Sequence, residues 1–196
     1  SEEELKKLEA DLIKYQGKGI KLAHAHQQMR LDDKRFDGIY DISERLGKPL
    51  YIHTGTSPNP YTRMEPPYVD PLYLEESIKK YPGAIFIMGH SGYDSFLVKL
   101  TYLDSCIELA KKYENVYIEP GALGSRKASE ILPIYLKRMK EEGIIDRVIY
   151  GSDGPQFPGY TASHLNNMID AMEEVGYTGL EMKAVLESNF ERVFDL

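Results

Sequence analysis

Ala84-Ile85-Phe86-Ile87-Met88 is an unbroken apolar run, and it is closed by Gly89-His90-Ser91-Gly92. It follows the turn-forming pair Pro82-Gly83 and shows no alternation of polar and apolar residues. Such a run is expected for a strand buried on both faces, as in a parallel sheet covered by helices. The polar residues that close it fall where the strand would leave the sheet. The same pairing of a short apolar run with a polar exit recurs along the chain, and that recurrence decides the fold.

Upstream, Glu2 to Tyr15 reads as a helix, with Leu5, Leu8, Leu12 and Tyr15 at helical spacing. Its acidic first turn suits the helix dipole. Gly17 and Gly19 end it, and Ile20 to Ala23 is a short strand. Asp33 to Leu46 is a helix stopped by Gly47, followed by a strand from Pro49 to His53. Thr54 to Pro71, which carries five prolines, reads as a long loop of the kind that serves as a lid or binding loop.

Downstream the cycle repeats. Helices are expected over Leu72 to Tyr81, Phe96 to Tyr113 and Lys127 to Glu142. Pro133 gives the last of these a kink or a late start. Val116 to Ile118 and Arg147 to Tyr150 are strands, and helices over Ser163 to Glu174 and Leu180 to Phe194 close the chain. Five strands, each followed by a helix, predict right-handed βαβ units and a parallel sheet in a single α/β domain over residues 1–196.

Composition narrows the function. The chain has 196 residues, is 42% hydrophobic and carries a net charge of -7. No basic stripe offsets that charge, so neither nucleic acid nor an anionic membrane is an expected partner. No segment approaches the ~20 apolar residues needed to span a bilayer. Ser1 to Lys7 lacks the apolar core of a signal peptide. A soluble, cytoplasmic protein is expected. The one cysteine, Cys106, lies on the apolar side of a predicted helix and reads as a buried structural thiol, which fits a reducing compartment.

The polar exits carry the chemistry. They are His24-Ala25-His26, His53-Thr54-Gly55, His90-Ser91-Gly92, Glu119-Pro120-Gly121 and Ser152-Asp153-Gly154. In a (β/α) barrel these strand ends meet at one face, where catalytic groups gather. Four of the five histidines sit there, and the fifth, His164, opens a helix. Histidine with aspartate suits one divalent metal ion, zinc first and manganese second. A strand-exit histidine alone is more often a hydrogen-bonded structural residue, and a lone Asp153 could cap a helix. Recurrence in register is what favours function for His53, His90 and Asp153.

Tyr51-Ile52-His53-Thr54-Gly55, Met88-Gly89-His90-Ser91-Gly92, Tyr150-Gly151-Ser152-Asp153-Gly154-Pro155 and the closing Asn189-Phe190-Glu191-Arg192-Val193-Phe194 resemble the amidohydrolase-related family. That family comprises metal-dependent TIM-barrel hydrolases and decarboxylases similar to aminocarboxymuconate-semialdehyde decarboxylase. The resemblance implies that His53 is a metal ligand and that His90 orients or deprotonates the catalytic water. Asp153 would bind the metal or exchange a proton with that water, and Lys21 would lie on a barrel strand without bridging two metals. The family barrel has eight strands, and its first carries a His-x-His pair. Only the last five units are recognisable here, so a partial barrel is expected, completed by residues outside this sequence or by another chain in a homo-oligomer. His24 and His26 have the spacing of that pair but follow a different strand. They are expected to face the substrate or to act as replacement ligands.

Arg63 and Arg126 are candidates to bind a substrate carboxylate, since arginine grips carboxylates in two-pronged fashion; either could equally be a solvated surface residue. The leading functional expectation is a metal-dependent hydrolase acting on an amide, lactone or ester-like bond of a small polar molecule. The alternatives are non-oxidative decarboxylation of an unsaturated or aromatic acid, and an inactive barrel fragment serving as a binding or oligomerisation module.

Overall fold

In the computed structural model the apolar runs pair side by side in strict parallel register. Residues 1–125, 128–154 and 157–196 are described; Arg126, Lys127, Pro155 and Gln156 lie outside them. The strands β1 (Ile20–Leu22), β2 (Leu50–His53), β3 (Phe86–Gly89) and β4 (Val116–Glu119) form one sheet in the order β1-β2-β3-β4. Each neighbouring pair is parallel. Parallel neighbours need a crossover, and here helices supply it: α2 (Asp37–Leu46) lies between β1 and β2, and α5 (Leu103–Lys112) between β3 and β4.

Register assigns every side chain to a face. Leu22, Ile52, Met88 and Ile118 align across the sheet and are buried in the large core. That core also takes in Tyr40 from α2 and Cys106 and Leu109 from α5. The opposite face carries Lys21, Tyr51, Ile87 and Tyr117 in one row. One step along the strands, His53, Gly89 and Glu119 align on that same face. A small second cluster of Ile87, Tyr117, Ile149 and Val193 packs below the polar row. The sheet thus hides one face under helices and presents the other to the strand exits.

The remaining helices follow local chemistry. The first, α1 (Glu2–Lys14), opens with a capping box between Ser1 and Glu4. The long loop contains a single helical turn, α3 (Pro66–Val69), with proline at its first positions. The next segment divides into a 3-10 turn (Pro71–Leu74) and α4 (Glu75–Lys80). Beyond β4 come α6 (Leu132–Glu141), α7 (Tyr160–Val175), α8 (Gly179–Lys183) and α9 (Asn189–Phe194).

Three boundaries differ from expectation. The helix expected from Phe96 begins only at Leu103, because Asp94 and Lys99 pair as an isolated antiparallel bridge and Val98 takes a φ of +54°. The helix expected from Lys127 is described from Leu132, with Pro133 in its first turn, so the proline marks a late start. The fifth strand shrinks to one bridge between Ile118 and Val148. Arg147 belongs to a 3-10 turn, and the Tyr150 N–H turns away from β4 to the Val185 carbonyl at 2.9 Å. Val185 lies in a π-helical stretch (Ala184–Ser188) between α8 and α9. Among the described residues no helix is long and apolar enough to cross a membrane.

Candidate active site

The exits of β2 and β3 are tied by one side chain. The Thr54 hydroxyl donates to the Gly89 carbonyl at 2.8 Å and accepts the Gly92 N–H at 3.0 Å. This fixes His53 beside His90. Their rings meet edge to face, with centroids 4.5 Å apart, and His26 approaches His53 from another side at 4.9 Å.

His53 is buried, and its Nε2 has no hydrogen-bond partner. Burial first, and then the neighbouring His90, Lys21 and His26, pushes its pKa down to about 2. The ring is therefore neutral at ordinary pH, the state in which imidazole coordinates metal.

His90 is held differently. Its φ is +65°, followed by +51° at Ser91 and +69° at Gly92. Its Nδ1 lies 3.3 Å from the Gly121 carbonyl and 3.9 Å from Asp153 Oδ2. Asp153 also has a positive φ, +49°, and is half exposed. Non-glycine residues held in the left-handed region are uncommon and cluster at functional sites; here two of them carry the candidate catalytic groups. A cavity of about 250 Å³ opens where they converge, lined by His53, His90, Asp153, Thr56, Tyr93 and Ser95 among others. It lies next to the three residues that the exit pattern singled out.

Other candidates fall elsewhere. His24 is fully buried, stacked on Phe36 at 4.0 Å with its Nε2 3.2 Å from the Tyr40 hydroxyl. Burial pushes its pKa down to about 4. Of the His24/His26 pair, only His26 joins the cluster. Arg63 is exposed, paired with Glu65, and its guanidinium sits 4.8 Å from the Tyr68 ring centre. Arg126 lies outside the described residues. Glu119, quoted as a strand exit but not chosen as a site residue, is 4% exposed and aligns with His53 and Gly89. Its signal is an acidic residue ending an apolar run, in register with Gly89, the residue before His90.

A metal is implied by these donors, and the structure offers one observation to test the fit. The Nε2 of His53 is buried and has no hydrogen-bond partner. That suits a ligand position, since buried polar atoms otherwise find hydrogen bonds. Among the described residues, no group of three or more His, Cys, Asp or Glu is arranged to hold a metal ion. The described donors alone do not complete a coordination sphere.

A family model described as amidohydrolase matches residues 1–196. Protein fluG of Emericella nidulans is 27% identical over 128 residues, which is 65% of this chain and 14% of that protein. An uncharacterised TIM-barrel protein from Bordetella bronchiseptica superposes with a TM-score of 0.67 at 17% identity, over 95% of this chain and 60% of its own. The 5-carboxyvanillate decarboxylase of Novosphingobium aromaticivorans, complexed with manganese and 4-hydroxy-3-methoxy-5-nitrobenzoic acid, gives a TM-score of 0.58 at 21% identity. It covers 91% of this chain and 56% of that one. The chain therefore spans part of each of these proteins, and what it shares with the two structures is the fold of a partial barrel.

Proposed function

We propose, because the chain belongs to the amidohydrolase family, that its strand exits form the metal-binding and proton-transfer side of a metal-dependent hydrolase. The observation that carries this reading is the buried, unpartnered Nε2 of His53, set against His90 beside a cavity that Asp153 also lines.

His53 and Asp153 would hold one divalent ion, zinc or manganese. When bound, such an ion lends Lewis acidity to water and to a substrate carbonyl. The chain's own residues supply the rest. A proton on His90 Nδ1 faces the Gly121 carbonyl, which leaves Nε2 free to take a proton as general base. Asp153, 3.9 Å from that Nδ1, steadies the imidazolium that results. Thr56, Tyr93 and Ser95 line the same cavity. They suit a small polar substrate with a flat unsaturated part.

A second reading, non-oxidative decarboxylation of an aromatic acid, draws on Tyr93 in the cavity lining. Incubating manganese- or zinc-reconstituted protein with aromatic carboxylic acids and with carboxylated lactones separates the two. Ring opening of a lactone, abolished in His90→Gln, is the expected result. Release of carbon dioxide without ring opening supports the second reading. Neither reaction, in protein that binds no metal, contradicts both.

A further inference from the structure

Glu119 and Tyr51 form a contact that the metal and water chemistry leaves unused. The Tyr51 hydroxyl donates to the Glu119 carboxylate at 2.5 Å, and the His90 backbone N–H donates to that same Oε2 at 3.2 Å. The Ser91 hydroxyl donates to the Glu119 backbone carbonyl at 2.9 Å. Glu119 therefore binds both non-glycine members of the left-handed run that begins at His90.

Space for the pair is kept by missing side chains. A Cβ on Gly151 would stand 1.9 Å from Glu119 Oε1, and one on Gly89 would stand 2.2 Å from the Tyr51 ring. Across the tyrosine, Lys21 Nζ lies 3.8 Å from the ring centre, the placement in which a cation is attracted to the π face. Three strands thus converge on one buried carboxylate. A non-glycine residue held in the left-handed region is strained and persists only where its surroundings over-determine it. At His90 those surroundings include Glu119, which accepts its backbone N–H.

We propose that Glu119, gripped by Tyr51, is the positioning residue that holds His90 in its left-handed conformation and so aims its imidazole at His53. The proposal rests on the hydrolase reading for what His90 does. The positioning itself can be read without turnover.

The test uses the intact chain labelled with ¹⁵N-histidine and compares the ring spectra of the parent with Tyr51→Phe and Glu119→Gln. Circular dichroism establishes that each variant is folded, and isothermal titration with Co²⁺ reports on His53. Loss of the single His90 ring signal, by displacement or splitting, is expected in both variants. The His24 and His164 signals stay in place, and any Co²⁺ binding by the parent persists. Folded variants with His90 at its parent position overturn the proposal. So does an equal shift of all five histidines, which would mark a general structural role. Tyr51→Phe removes one oxygen, and it decides the matter alone if Glu119→Gln does not fold. A parent that binds no Co²⁺ counts against the hydrolase reading and leaves the His90 comparison intact.

Discussion

His53 and His90 meet edge to face at 4.5 Å, although 36 residues of sequence separate them. Parallel pairing makes the meeting inevitable: Leu50 aligns with Phe86 and His53 with Gly89, so each histidine is delivered at the same strand end. Both rings are buried, but His53 keeps an unpartnered nitrogen while His90 lies beside the Gly121 carbonyl and Asp153. That asymmetry divides their proposed roles.

Thr54 is the clamp that keeps these exits together, and replacing it tests the geometry. Thr54→Val preserves shape but leaves the buried Gly92 N–H unpaired. A buried donor without a partner costs about 1–3 kcal/mol, so urea unfolding is expected to show a loss of about 2 kcal/mol. An unchanged midpoint would mean that the exits are held in register by something other than Thr54.

Stability should fall on mild acidification because of His24. Its native pKa is pushed down to about 4 from 6.5 by burial. Between those values the unfolded chain takes up a proton that the native chain does not, so stability rises with pH across that window. The contribution is complete above pH 6.5 and is lost as the pH falls towards 4. It amounts to about 3 kcal/mol. His53 acts in the same direction. Unfolding in urea with a chelator present, from pH 7 down to pH 4, is expected to give a shallower slope for His24→Gln than for the parent. Equal slopes would remove His24 from the account.

Cys106 is fully buried, and burial raises its thiol pKa well above the usual range. The native protein should therefore be inert to Ellman's reagent and release one thiol equivalent only on unfolding. Rapid native labelling would show that α5 opens readily.

The sequence made part of this architecture plain and hid the rest for physical reasons. Apolar runs such as Phe86–Gly89 report burial on both faces, and burial is what a parallel sheet requires. The exits follow from the same pattern, so the placing of His53 beside His90 is legible in the sequence. Tyr150 was different. Its N–H bonds Val185, far along the chain, and no local pattern marks a strand whose partner is taken by a distant carbonyl. The break before Leu103 lies in the backbone: the Asp94–Lys99 antiparallel bridge and the left-handed φ of Val98 interrupt a helix that the apolar spacing favours. His24 and His26 share a motif but part company because the backbone turns there instead of running extended: one ring packs on Phe36 and the other on His53. Glu119 was visible as an acid ending an apolar run, yet its worth lies in accepting the His90 N–H, a contact only tertiary structure reveals.

The measurement that bears most directly on the central claim is metal binding by the parent, His53→Ala, Asp153→Ala and His90→Gln, by titration with zinc and manganese and by elemental analysis after dialysis. The account predicts that the parent retains metal, that His53→Ala and Asp153→Ala lose it, and that His90→Gln keeps it. Four proteins with the same metal content, whether loaded or empty, would contradict it.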